Sequence, residues 1–144
     1  MERRPLGATG AAVSRLGLGT LAWGRGTDPA DADDMVREFI DAGGSLIDTS
    51  DALGDGAVET LLGKVLADPG LRDESFVVTR AGTGNRPRRP IDISRQHLLA
   101  SLDASLARLG TGHIDLWLLD DWDSATPIDE SLDALGVAIS TGRV

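Results

Sequence analysis

Three charged side chains each close a brief apolar run. Asp48 ends Leu46-Ile47-Asp48, Arg80 ends Phe76-Val77-Val78-Thr79-Arg80, and Asp120 ends the run from Ile114. A short apolar run that stops on a charge fits a buried parallel strand whose C-terminal end opens to solvent. Two carboxylates flanking a guanidinium at neighbouring strand ends make a pre-organised acid-base cluster: one carboxyl is raised by the other while Arg80 keeps the second ionised. Ser50, Asp51, Leu53, Asp55, Asp121 and Asp123 lie close by in sequence. The same three residues also have a purely structural reading, with Asp48 capping a turn and Arg80 neutralising it or Asp120 as an ion pair. Trp23 and Trp122 follow strand ends and either wall a pocket or pack an interface. His97 opens a helix and His113 precedes a strand, which favours structural roles for both.

Composition narrows the chemistry. The 144 residues carry 14 basic and 23 acidic side chains, a net charge of -9, with neither Cys nor Tyr. The absence of Cys excludes thiolate catalysis, thiolate metal sites and disulfides, and the absence of Tyr excludes a phenolic acid or base. An acidic chain whose only cationic cluster is Arg86, Arg88 and Arg89, interleaved with Pro87 and Pro90, is expected to leave that trio as a solvated loop and to bind no nucleic acid. No run approaches the roughly 20 apolar residues of a membrane span, and Met1-Glu2-Arg3-Arg4-Pro5 lacks an apolar signal core, so a soluble cytoplasmic protein is expected. No carboxylate pair of established spacing supports a metal.

The elements that position these residues follow a repeating order. Arg3 to Leu18, with Gly7-Ala8-Thr9-Gly10 inside it, reads as a hairpin leading into a strand at 16–20. Asp28-Pro29 starts a helix that carries Ala32, Met35, Val36, Phe39 and Ile40 and stops at Gly43-Gly44. The next helix carries Val58, Leu61, Leu62, Val65 and Leu66. Ser94 is placed to cap a third, which presents Leu98, Leu99, Leu102, Leu106 and Leu109 before Gly110. Thr126-Pro127 opens a fourth that runs to Gly142. The four strand–helix units form one α/β domain over 1–144, either an open doubly wound sheet or part of a barrel.

Arg15-Leu-Gly-Leu-Gly-Thr20, Ala42-Gly-Gly-Ser-Leu-Ile-Asp-Thr49 with Gly54-Asp-Gly56, and Ser105-Leu-Ala-Arg-Leu-Gly-Thr111 with Ile114-Asp-Leu116 resemble the N-terminal half of the aldo-keto reductases, together with Trp122-Asp123 and Thr126-Pro127-Ile128. The resemblance implies a (β/α)4 half of a TIM-type barrel behind an N-terminal hairpin, since that family folds as eight units over about 250 residues or more. It also implies a degenerate catalytic tetrad. Asp48 matches the family's Asp, whereas Leu53 stands at its Tyr, Arg80 at its Lys and Asp120 at its His. The family holds its nicotinamide cofactor's phosphates mainly from the second half of the barrel, and no strand-linked G-x-G-x-x-G turn replaces that grip here; Gly17, Gly19, Gly24 and Gly26 read as a tight turn.

These substitutions lead to the expectation of a repurposed, cofactor-independent enzyme that has lost reductase activity. It would use Asp48, Arg80 and Asp120 as catalytic acid-base groups for a lyase, cyclase, hydratase or isomerase step on a carbonyl-containing small molecule. Trp23, Ser50, Asp51, Leu53 and Trp122 are the expected substrate contacts, with no cofactor-binding or metal-binding residues. The alternatives are a non-catalytic small-molecule-binding or accessory protein, and a reductase whose proton donor and cofactor loops come from a partner chain. Four parallel strands leave two open edges, so a homodimer closing an eight-stranded barrel is expected.

Overall fold

A computed structural model describes residues 1–86 and 89–144, apart from the side chains at 24, 25, 84–86 and 89. Strands β1 (Arg3–Pro5) and β2 (Ala12–Ser14) pair as an antiparallel hairpin, Arg3 opposite Ser14. There follow β3 (Gly17–Gly19), α1 (Pro29–Asp41), β4 (Leu46–Asp48), α2 (Ala57–Val65), α3 (Pro69–Glu74) and β5 (Phe76–Ala81). A second hairpin, β6 (Thr83–Arg86) and β7 (Arg89–Ile91), precedes α4 (Arg95–Leu109), β8 (Leu116–Leu119) and α5 (Ile128–Ser140). The main sheet is parallel throughout, in the order β3-β4-β5-β8. A doubly wound sheet reverses its strand order at a switch point. This one advances in a single direction, which is how a barrel is wound and which excludes the open-sheet alternative.

Helix starts follow from local chemistry. The Asp28 side chain accepts from the Ala30 amide at the head of α1, with Pro29 in the first turn, and Ala32, Val36 and Ile40 are the buried stripe. Asp68 and Pro69 repeat the same device at α3, where Asp68 accepts from the Gly70 amide, a short helix that adds to the four expected from the sequence. Ser94 occupies the cap position of α4, but its side chain makes no capping bond. The Arg95 amide there donates instead to Glu130 Oε1 across from α5. The expected loop around Arg86 and Arg89 is a hairpin, Thr83 opposite Ile91 and Arg86 opposite Arg89. The solvation expected of that arginine trio, and Pro87 and Arg88 altogether, lie outside the described residues.

The core fills the space between the sheet and its helices. Ile47, Val77 and Trp117 meet Val36, Leu62, Leu98, Leu102, Ala134 and Ala138, all buried. Alternation along the strands puts Gly19, Asp48, Arg80 and Leu118 on the opposite face. Helices α2 and α4 are drawn together at Gly63, where an added Cβ would stand 2.3 Å from the Arg108 carbonyl oxygen. Beside that contact, Glu59 is fully buried; its Oε2 accepts from Arg108 Nε at 2.7 Å and its Oε1 from Thr79 Oγ1 at 2.6 Å. The chain there reaches Gly56 at φ 84°, and a Cβ on Gly56 would lie 2.6 Å from Arg108 Cδ, so glycine clears the path of the arginine to its carboxylate. Strands β3 and β8 each have one unpaired edge among the described residues. On α5, Ile128, Leu132 and Ile139 remain exposed. No helix among the described residues is long and apolar enough to cross a membrane.

Candidate active site

The C-terminal ends of the parallel strands converge on one cleft of about 320 Å3. Register decides which side chains reach it. Gly19 is level with Asp48, and Asp48 with Val78, so that Asp48 leaves the end of β4 beside Arg80, two residues further along β5 and on the same face. Arg80 Nη2 donates to both Asp48 oxygens, at 2.9 and 2.8 Å, and Nε reaches Oδ1 at 3.3 Å. The pair is half exposed, so it adds at most about 1 kcal/mol to stability. What it does is fix the direction of both side chains, since a guanidinium fork is planar. The bond to Asp48 also raises the Arg80 pKa, keeping the guanidinium charged.

Asp120 arrives from the end of β8. Its amide donates to Ala81 O at 2.9 Å, extending the β5–β8 ladder, and its Oδ2 accepts from Thr83 Oγ1 at 3.2 Å. Ser50 and Leu53 also line the cleft, and the Ser50 hydroxyl oxygen accepts from the Ala52 amide at 3.3 Å, holding the turn after β4. The structure therefore brings together Asp48, Arg80, Asp120, Ser50 and Leu53.

The other expected contacts lie elsewhere. Trp23 is a core side chain, 5% exposed, packed among the residues under the sheet. Trp122 is 60% exposed and lines neither described cleft. Asp51 lines a separate cleft of about 430 Å3 with Asp55, His97 and Arg108, between the β4–α2 turn and α4. Burial pushes the Asp51 carboxyl up to about 6, helped by the nearby Glu59 and Asp120 charges and opposed by Arg108 and His97. The raised carboxyl thus stands in the cleft beside α4 and not in the one that holds the Asp48–Arg80 pair. His97 Nε2 contacts the Thr83 carbonyl at 3.0 Å, and His113 contacts Arg72 at 3.1 Å.

Two features escaped sequence reasoning. The Thr83 hydroxyl on Asp120 depends on the β6 hairpin, for which no periodic signal exists. Glu59 was legible in principle, as a charge directly between Val58 and the apolar positions 61 and 62 of α2. No group of three or more potential metal ligands occurs among the described residues.

Comparison with known proteins places the architecture. Residues 15–144 match the model of the aldo/keto reductase family, and the chain belongs to that family. It is similar to a 6-dehydroglucose reductase of Novosphingobium aromaticivorans, 38% identical over 98% of this chain and 48% of that protein. It is likewise similar to the aldo-keto reductase YhdN of Bacillus subtilis, 31% identical over the whole chain and 45% of that protein. The solved aldo-keto reductase AKR11C1 of Bacillus halodurans, in its holo form, superposes with a TM-score of 0.86 at 30% identity, over 99% of this chain and 47% of that one. The chain spans about half the length of these relatives, and its four strand–helix units are half of the barrel.

The relatives correct one expectation. They are named as reductases, which points to reductase-type chemistry and overturns the reading of a repurposed non-redox acid-base enzyme. The charge pattern that suggested repurposing has a simpler account, because the Asp48–Arg80 contact is a closed ion pair and the carboxyl with a raised pKa, Asp51, is not part of it. The nicotinamide cofactor implied by the family does not fit the strand ends of this half. Its phosphates need free donors, and the cation in the cleft, Arg80, is already engaged by Asp48.

Proposed function

We propose that this chain forms the substrate-facing half of an aldo-keto-reductase-type site that reduces a sugar-derived carbonyl compound. The observation that carries the reading is the placement of Asp48, Arg80 and Asp120 on three successive parallel strand ends around one cleft, at the positions where the family keeps its Asp, Lys and His. The named activity of the 38%-identical relative supports the sugar-type substrate. In this reading Asp48 and Arg80 shape the polar floor of the cleft, Leu53 supplies an apolar wall where the family has its Tyr, and Asp120 faces the substrate. The proton for the carbonyl oxygen and the grip on the cofactor come from the completing half of the barrel.

The proposed completing half is a partner polypeptide carrying the second half of such a barrel, because a second copy would bring only the same strand ends and no Tyr. The open edges of β3 and β8 and the exposed Ile128, Leu132 and Ile139 of α5 support an edge-pairing partner. The test mixes the chain with the C-terminal half of an aldo-keto reductase and follows light scattering and nicotinamide fluorescence over a panel of sugar-derived aldehydes and ketones. A complex heavier than either part, and cofactor consumption that falls about 10- to 100-fold in Asp48→Asn, are expected, the range of a lost positioning contact. No complex at tens of micromolar, or no consumption with NADPH or NADH across the panel, overturns the reading.

A further inference from the structure

We infer that the outer helices α1 and α5 select the completing half by opposite chemistry: α1 takes a helix with basic residues set about an apolar one, and α5 takes an apolar helix. The inference rests on the partner-half reading above, but its own content is what that partner must carry and why a second copy is rejected. When a barrel closes, the helices beside the joined strands pack as neighbours in the outer ring. The chain superposes on 47% of a solved relative, so about as much chain again remains to lie between β8 and β3. On α5, Arg95 of α4 donates through Nε to Asp133 and through its amide to Glu130, which fixes the flank turned toward α4. At about 100° per residue, Ile128, Leu132 and Ile139 share the other flank, on the side of the open β8 edge. They are 44%, 54% and 64% exposed.

The flank of α1 at the other edge has a different character. Arg37 donates to Asp33 on its own helix and to Asp68 at the head of α3, so that side of α1 faces α3. Asp31, Met35 and Glu38, spaced four and three residues apart, fall on the side turned away from α3, toward the open edge of β3, and all three are exposed. A second copy would set Asp31 and Glu38 against Ile128, Leu132 and Ile139. Each carboxylate would then lose water without gaining a donor, and only Met35 would meet the apolar stripe in kind. A partner whose two outer helices were exchanged would meet the same mismatch. A basic side chain against each acid removes the cost, and charges placed in this way fix register and exclude wrong partners.

The experiment uses the full chain and two versions of the C-terminal half of an aldo-keto reductase. One carries Lys, the other Glu, at the two positions of its last helix that face Asp31 and Glu38; circular dichroism confirms that every protein is folded before mixing. Sedimentation should show the chain alone as a monomer at tens of micromolar. The Lys version is expected to bind about tenfold tighter than the Glu version, the sum of two exposed pairs that attract in one and repel in the other. That preference should shrink with added salt and reverse in the double variant Asp31→Lys, Glu38→Lys. Leu132→Asp should weaken both versions alike, since it acts at the other edge. Self-association of the wild-type chain, equal affinities for the two versions, a preference that survives the charge reversal, or no association of either version overturns the inference. Because association is read without turnover, failure of the reductase reading appears separately, as a complex that consumes no cofactor.

Discussion

Replacing Asp51 by Asn should stabilise the protein at neutral and alkaline pH and do little in acid. In the folded chain the Asp51 carboxyl titrates near 6, against an ordinary value of 3.8, chiefly because it is buried and secondarily because Glu59 and Asp120 face it. A carboxyl raised on folding contributes stability that is fully present below its unfolded value. That contribution is lost as pH rises through the folded value. The difference of about 2 units corresponds to at most about 3 kcal/mol at pH above 6, at roughly 1.4 kcal/mol per unit. The residue is half-buried and water screens it, so a gain of about 1–2 kcal/mol in Asp51→Asn is the working figure. For a chain of this size that is a rise of roughly 3–8 °C in Tm. Urea unfolding at about pH 8, 7, 5.5 and 4.5 measures it: the gap between variant and wild type should be full at the first, and close across the window from 6 to 3.8. A variant that is less stable than wild type at pH 8, or a gap that does not change with pH, refutes the argument and means that Asp51 is held ionised by a partner.

Arg108→Ala should cost about 3–5 kcal/mol in urea unfolding, because it leaves the fully buried Glu59 carboxylate with the Thr79 hydroxyl alone. Gly63→Ala should cost about 1–3 kcal/mol by the same measurement, since its Cβ would force α4 away from α2 at the Arg108 carbonyl. Arg80→Ala should change stability by no more than about 1 kcal/mol, as expected for a half-exposed pair, yet lower turnover of the proposed sugar-derived carbonyl substrate by releasing Asp48 from its fixed orientation.

The parts of this molecule written in local chemistry were legible before any coordinates. Asp28-Pro29, Gly43-Gly44 and Gly110 mark helix ends that stand where their capping and left-handed geometry require. Three of the four parallel strands were readable because a short apolar run ended by a charge fits a buried strand whose C-terminal end opens outward. What could not be read was the assembly of distant groups. Nothing local tells Ser94 that Glu130, 36 residues further on, will take the amide of its neighbour. Asp51 lies three residues past Asp48, beyond the end of β4, and the turn there carries it to the cleft beside α4 while Asp48 meets Arg80. Trp23 follows a strand end as a pocket wall would, yet the turn at 21–25 folds it inward to the core.

Most of the buried apolar side chains lie between sheet and helices, and within the main sheet each strand pairs with the main-sheet strand that precedes it. Such an arrangement behaves like a short linear array, in which every unit is stabilised by its immediate neighbours and none waits for the far side of a barrel to exist. Folding can therefore be complete before closure begins. Under the proposed pairing with a partner, closure would be a meeting of finished bodies, second order in protein, on the slow and concentration-dependent timescale of subunit docking. Dilution would then reopen such a barrel without unfolding this half.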